Sequence, residues 1–444
     1  VKLAWLLVAS ILASAGAWAQ GNAPAMPPAP ETASVAERVY AAARPRLLQI
    51  RTLVTAADRQ SSIGSGFLVS ADGLAITNYH VVSQYALEPA TYRLEYAAAD
   101  NTRGEVQLLA IDIANDLALV RVDHKGQPFF EFDERAVHGE VLKGERLYSM
   151  GNPLDLGFTI VEGTYNGLVD RSYNERIHFS GAINPGMSGG PTVTADGHVV
   201  GINVAKQLGG ELVSFLVPAR FAAALLTSAP AGEPPDLAQL KTEIGRQLAV
   251  WQEGLYKALV DAAFRGVTVG PYKAPESAAP WFTCWAQTNA GQVPKPRASS
   301  NTTNCTSDSQ VYVASDLSTG SVRLSHSYFN SIDLNRFQFA TFVAQQSPVQ
   351  WLSGFNWSRK WHTQQRCHED FLGGSPTDGR PPIRALWCAR AYREFEGLYD
   401  VWVMTITQDR GTEALVSRLS LQGVTYPNAM VFGKRFIEAV QWKP

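Results

Sequence analysis

Between Leu47 and Ala224 the chain is a succession of short apolar stretches broken by glycine turns, and this spacing restricts the fold more than any other feature. Runs at 92–98, 105–111, 147–150 and 199–204 are too short for independent helices and suit strands. Asp72-Gly73 and Asp196-Gly197 each separate two such runs, which is the strongest short-range hairpin signal. Further strands are expected at 158–161, 164–169, 176–179 and 212–217, with a docking helix at 218–226. Short strands at regular intervals favour a closed barrel or a sandwich over an α/β fold.

Chemistry enters with Gly181-Ala182-Ile183-Asn184-Pro185-Gly186-Met187-Ser188-Gly189-Gly190-Pro191. A serine hydroxyl is a weak nucleophile until a base stands beside it and donors face the developing oxyanion. Glycines on both sides of Ser188 permit a tight turn in which the Gly186 and Ser188 amides converge on one spot. Taken alone, such a stretch is as readily a surface turn. Two upstream stretches supply partners: His80, just after the apolar run 75–77, and Asp116, at the head of the alternating strand Leu-Ala-Leu-Val-Arg-Val. The order His, Asp, Ser along the chain is one of the arrangements in which a serine triad is built.

The stretches TNYHVV, NDLALVRV, GNPLDLGFTIVEGTYNGLV and INPGMSGGP resemble those of trypsin-fold serine proteases of the bacterial HtrA/Deg type, over residues 45–220. The resemblance implies two six-stranded antiparallel β-barrels with the site in the cleft between them. It assigns His80 as general base, Asp116 as its orienting carboxylate, Ser188 as nucleophile, and the Gly186 and Ser188 amides as oxyanion hole. It places Ala182 at the base of the specificity pocket, with Ile183 and Val213 as walls, which suits small or medium apolar side chains. Two departures stand out. Met187 occupies a position that is usually Asn in this family, or Asp in its digestive branch, and no recognisable PDZ module follows. The implied activity is that of a serine endopeptidase acting on proteins or peptides through an acyl-enzyme. Neither a metal nor an organic cofactor is implied. The alternatives are a catalytically silent binding or scaffold protein on the same barrels, and an esterase using the same triad.

The formal net charge of −2, without a Lys/Arg block, argues against nucleic acid or an anionic membrane surface as partner. Residues 1–19 read as a signal peptide: Lys2, an apolar segment from Leu3 to Ala13, and a small-x-small site at Ala17-Trp18-Ala19. Export to the bacterial periplasm or beyond follows, with no membrane span in the mature chain. The domain organisation is then a flexible linker at 20–33, a protease domain at 34–228, a Pro-rich boundary with a long helix at 229–266, and an accessory α+β domain at 267–444. The helix is capped by Asp236, ended by Gly266, and carries one apolar stripe: Leu237, Leu240, Ile244, Leu248, Trp251, Leu255 and Leu259.

All four cysteines lie in this last region, at 284, 305, 367 and 388. Their spacing is not that of a zinc site, and in an exported chain disulfides are the default. Three connectivities exist, of which the local pairs Cys284–Cys305 and Cys367–Cys388 are preferred. Strands are expected at 310–313, 321–325, 337–343 and 398–407, and a terminal helix at 429–440. The region is expected to carry no catalytic group.

Overall fold

The structure is a computed structural model that describes residues 33–206, 212–228, 234–346 and 359–442. The expected signal peptide, most of the linker after it, and residues 229–233 of the Pro-rich boundary lie outside the described residues.

The alternating runs close into two barrels. The first contains β1 (Leu47–Val54), β2 (Arg59–Leu68), β3 (Leu74–Thr77), β4 (Tyr92–Ala98), β5 (Arg103–Asp112) and β6 (Leu117–Val122). Its strands follow the order β1-β2-β3-β6-β5-β4. The second contains β7 (Arg146–Gly151), β8 (Thr159–Leu168), β9 (Ile177–Phe179), β10 (Pro191–Val193), β11 (Val199–Lys206) and β12 (Ser214–Pro218), in the order β10-β11-β12-β9-β8-β7. The two strands expected at 158–161 and 164–169 are one continuous β8. Gly163 lets it pass Phe179, whose ring would lie 2.5 Å from any Cβ there.

Strand β6 shows how the barrels are joined. Ala118, Val120 and Val122 point into the first barrel, while Leu117 and Leu119 belong to the core of the second. A strand buried on both faces is therefore anchored twice, and Asp116 at its head inherits that rigidity. The segment after β3 winds into a helix before returning at β4.

Five helices accompany the barrels: α1 (Val35–Ala43), α2 (Tyr79–Leu87), α3 (Glu134–His138), α4 (Ala219–Thr227) and α5 (Leu237–Ala262). Helix α5 opens with a reciprocal capping box between Asp236 and Gln239. It ends before Ala263, which has a φ of 57°, so Gly266 lies beyond it in the following strand. The apolar stripe divides its work. Leu240, Ile244 and Leu248 pack into the first-barrel core, whereas Leu255, Tyr256 and Leu259 pack against the C-terminal sheet. Trp251 touches both clusters. Among the described residues no helix is long and apolar enough to cross a membrane.

Past α5, β13 (Phe264–Val269), β14 (Tyr272–Ser277), β15 (Phe282–Thr288), β16 (Ala298–Ser307), β17 (Val311–Ala314), β18 (Leu317–Thr319) and β19 (Val322–Ser331) lead to helix α6 (Arg336–Gln345). Then come β20 (Arg366–Leu372), β21 (Ile383–Ala391), β22 (Leu398–Thr407), β23 (Glu413–Thr425), helix α7 (Tyr426–Glu438) and β24 (Gln441–Trp442). Seven strands form one antiparallel sheet in the order β15-β16-β19-β23-β22-β21-β20, while β17 and β18 form a separate hairpin. The segment expected as a strand at 337–343 is helical. Asn335 and Gln338 form a capping box there, and Phe339 and Val343, one turn apart, are the buried pair.

Both disulfides are the local pairs, Cys284–Cys305 and Cys367–Cys388. Each joins residues directly opposite one another, across β15–β16 and β20–β21, at the two outer edges of the seven-stranded sheet. These edge strands are largely exposed, so little apolar burial holds them. Replacing both members of either pair by serine should lower stability by about 3 kcal/mol through unfolded-state loop entropy. Urea denaturation at matched pH measures this, and a loss under about 0.5 kcal/mol would contradict the assigned role of the crosslink.

Candidate active site

The turn bearing Ser188 is shaped by two left-handed glycines, Gly186 (φ 94°) and Gly189 (φ 86°). Neither position tolerates a side chain. A Cβ would lie 2.4 Å from Asn152 O at the first and 2.2 Å from Ser65 O at the second.

Each barrel contributes one polar residue that grips the turn. From the first, Ser65 N donates to Ser188 O at 2.7 Å, and Ser65 Oγ donates to Gly186 O at 2.7 Å while accepting from Asn152 N at 2.9 Å. From the second, Asn203 Nδ2 donates to Met150 O at 2.9 Å and Met187 O at 3.2 Å. Its Oδ1 accepts from Ser149 Oγ at 2.8 Å and Thr192 Oγ1 at 2.7 Å. The Asn203 backbone adds bonds to Gly189 and Gly190. Met187 is fully buried in the second-barrel core, so the residue before the serine is held by packing, without an ion pair.

The amides of the turn are unequally committed. Met187 N donates to Asn184 O, Gly189 N to Asn203 O and Gly190 N to Met187 O. Among the described residues, the Gly186 and Ser188 amides have no acceptor. Pro185 O accepts from Leu154 N at 2.9 Å. Because a trans peptide directs its N–H opposite to its C=O, the Gly186 amide faces away from the Leu154 loop. That loop is fastened to the first barrel, since Asp155 Oδ1 accepts from Gln49 Nε2 at 2.7 Å and from Arg51 at 3.3 Å.

His80 stands in the first turn of α2, one residue past Tyr79. Asp116 reaches it from the head of β6, in a left-handed conformation (φ 61°) that a short polar side chain tolerates. Asp116 Oδ1 accepts from His80 N at 2.8 Å, and Oδ2 pairs with His80 Nδ1 at 2.6 Å. Asn78 Nδ2 and Tyr79 N both donate to Asp116 O, at 2.8 and 3.2 Å, which locks the two segments together. Burial pulls the imidazole pKa down, but the Asp116 carboxylate overrides this and leaves it above 6.5. The neighbouring Asp112 is engaged by Asn115, and burial pushes its carboxyl above the usual range.

The Ser188 turn abuts this helix start. A Cβ on Gly189 would meet Asn78 N at 2.9 Å, and one on Gly64 would meet both Val81 and Ser188 O. The Ser188 hydroxyl itself donates to Val204 O at 3.4 Å. Of the three residues expected to form the pocket, Ala182 is exposed and Val213 half-buried. Ile183 is turned into the second-barrel core, its amide donating to Ser214 Oγ at 3.2 Å.

Ser65, Asn78 and Asn203 were not anticipated from sequence. Asn203 had a signal: a lone amide inside the apolar run Val-Val-Gly-Ile-Asn-Val-Ala must have partners if that run is buried.

Residues 64–202 match the family described as Trypsin-like peptidase domain. Among curated relatives, the chain is 35% identical over 164 residues to a protein of Ectopseudomonas mendocina named probable periplasmic serine endoprotease DegP-like, covering 35% of this chain and 33% of that one. It is 34% identical over 163 residues to serine protease HTRA1 of Xenopus laevis, with 35% and 33% covered. A solved serine endoprotease from Yersinia pestis aligns with a TM-score of 0.38 at 23% identity, over 44% of this chain and 67% of that one. The chain thus spans about a third of the length of the curated relatives it matches. Over the barrels, its resemblance to trypsin-like proteases of the HtrA/Deg type stands.

Proposed function

We propose that this chain is an exported serine endopeptidase in which Ser188 attacks the substrate carbonyl, His80 takes the serine proton, and Asp116 holds the imidazole in the required tautomer. With Nδ1–H donating to Asp116, Nε2 is the basic nitrogen. Attack requires the Ser188 hydroxyl to leave Val204 O and turn to that nitrogen. The tetrahedral oxyanion is received by the Gly186 and Ser188 amides. Collapse expels the amine, which takes a proton from His80, and water then releases the acyl group by the same steps reversed.

The observation that carries this reading is the His80–Asp116 pair docked against a serine turn in which the Gly186 and Ser188 amides have no acceptor among the described residues. A silent scaffold is the rival, favoured by the serine hydroxyl resting on Val204 O. A fluorophosphonate probe separates the two: labelling that disappears in Ser188→Ala supports the peptidase, and a folded wild type that takes no label supports the scaffold. Export is supported by the two disulfides and by relatives named as periplasmic.

The pH dependence follows from the raised imidazole. Only neutral His80 is a base, so kcat/KM should rise with pH through a midpoint above 6.5. In Asp116→Asn the anion is lost while burial remains, so the residual activity should titrate at a lower pH. A pH–rate profile checks both signs. The protonated pair also favours the folded chain below the unfolded histidine pKa, and that increment is lost as pH rises through the folded one.

Cleavage is expected after small or medium apolar residues. Ala182 and Val213 bring no carboxylate to balance a lysine or arginine, Ile183 being turned into the core, and burying an unpaired cation is costly. A peptide library should show this preference; dominant cleavage after Arg or Lys would contradict it.

A further inference from the structure

A stretch of the C-terminal region stands beside His80. Leaving β16, residues 308–310 run past the second barrel and are tied to it: Tyr173 N donates to Asp308 O at 2.8 Å, and Asn174 Nδ2 to Gln310 O at 3.3 Å. Strand β17 then lies on helix α2 of the first barrel, where Tyr79 Oη donates to Val313 O at 2.9 Å. This stretch therefore bridges the two barrels next to the imidazole.

Strand alternation decides which side chain faces that space. Val311 and Val313 are buried in the first-barrel core, while Tyr312 between them is half-buried and touches only the edge of that core, at Tyr79. Its ring lies edge-on to His80, with centroids 6.0 Å apart and planes at 72°. Its hydroxyl meets Ser83 Oγ at 3.3 Å, one turn beyond His80 on α2. Ser83 Oγ donates to His80 O at 3.1 Å, so Tyr312 is the donor to Ser83. With the hydroxyl tied back to the helix, the surface Tyr312 offers is its apolar ring.

We propose that Tyr312 is a specificity-determining residue of the peptidase: its ring closes the side of the cleft at His80, where the leaving amine is protonated, and restricts the substrate residue that follows the scissile bond to small residues such as Gly, Ala or Ser. A bulky side chain at that position meets the ring, and the ring cannot retreat because its strand is fixed on both barrels. The C-terminal region thus forms part of the substrate site although it supplies none of the triad.

The inference rests on the peptidase reading, and the test keeps the two apart. Peptides differing only at the residue that follows the scissile bond (Ala against Leu and Phe) are assayed with wild type, Tyr312→Ala and Tyr312→Phe, with thermal unfolding as a check on folding. The wild type should prefer Ala. Tyr312→Ala should narrow the Ala-to-Phe ratio of kcat/KM by about tenfold or more, mainly through KM for the bulky peptide. Tyr312→Phe, which keeps the ring, should retain the wild-type ratio. Should the alanine variant fail to fold, Tyr312→Leu, which keeps apolar contact with the helix, makes the same comparison. Wild type without Ser188-dependent hydrolysis of any peptide would defeat the peptidase reading itself. With hydrolysis present, an unchanged ratio in a folded Tyr312→Ala or Tyr312→Leu, or a Tyr312→Phe that behaves like alanine, overturns the role of the ring.

Discussion

Ser188→Ala should reduce kcat on a peptide by about a millionfold, and His80→Ala should do nearly the same, because the triad works as a unit and either loss removes the activated nucleophile. The double variant should then be scarcely worse than either single one. Asp116→Asn should cost about 10⁴-fold, since the amide can donate to Nδ1 and so favours the wrong imidazole tautomer. None of these variants should unfold the protein. Ser188 makes one long side-chain bond, and the imidazole is part-exposed at the cleft. Steady-state kinetics with active-site titration reads the losses. Additive effects in the double variant, or Asp116→Asn within tenfold of wild type, would show that the three residues do not act together.

The second large effect concerns a residue that touches no substrate. Asn203 is fully buried, and its amide answers four groups: two hydroxyls and two carbonyls, one of them Met187 O. Asn203→Leu keeps the volume but takes a partner from each of these groups in a desolvated site, Met187 O keeping only Gly190 N. The expected loss is about 3–5 kcal/mol, more than most single substitutions cause. Asn203→Asp should be no better, because a buried carboxylate would face the carbonyls of Met150 and Met187. Fluorophosphonate labelling should fall in both variants even at temperatures where they remain folded, since the lost side-chain amide is the group that holds Met187 O, next to the serine. A leucine variant within about 1 kcal/mol of wild type would show that the turn is held mainly by Ser65 and packing.

The barrels were legible because their strands obey local rules. Strand β4 spans the residues its alternation marks, and the Asp72-Gly73 and Asp196-Gly197 turns fall between paired strands. Helix α5 was legible for the same reason at period 3.6, and its Asp236 cap is the observed one. Helix α2 was not anticipated, because Tyr-His-Val-Val continues an apolar run and nothing local separates a strand from a buried helix there. Strand β16, Ala-Ser-Ser-Asn-Thr-Thr-Asn-Cys-Thr-Ser, has no apolar face to read, and its pairing with β15 and β19 supplies what its pattern lacks. At 337–343 the aromatic alternation misled, and the stronger signal was the Asn335–Gln338 cap before it.

In the candidate site, His80, Asp116 and Ser188 were marked by composition and order. The residues that position them were not, since Ser65 and Asn203 act through backbone contacts formed only once the barrels close. Tyr312 lies further still from any local signal. It is 232 residues from His80, and only the bridge across the barrels brings the two together. Removing the chain after Arg265 should therefore expose Leu255 and Leu259 on α5 and strip the wall beside His80. Solubility and substrate selectivity should be lost together, as judged by size-exclusion chromatography and the Ala-to-Phe peptide ratio of any soluble remainder.

The central claim is that Ser188 becomes covalently acylated. Intact-protein mass spectrometry of enzyme quenched in acid within the first turnover of an activated ester tests it directly. The account predicts one acyl adduct per chain, located by digestion on the peptide containing Ser188 and absent in His80→Ala. Hydrolysis that proceeds with no adduct on Ser188, or with the acyl group on another residue, would contradict it.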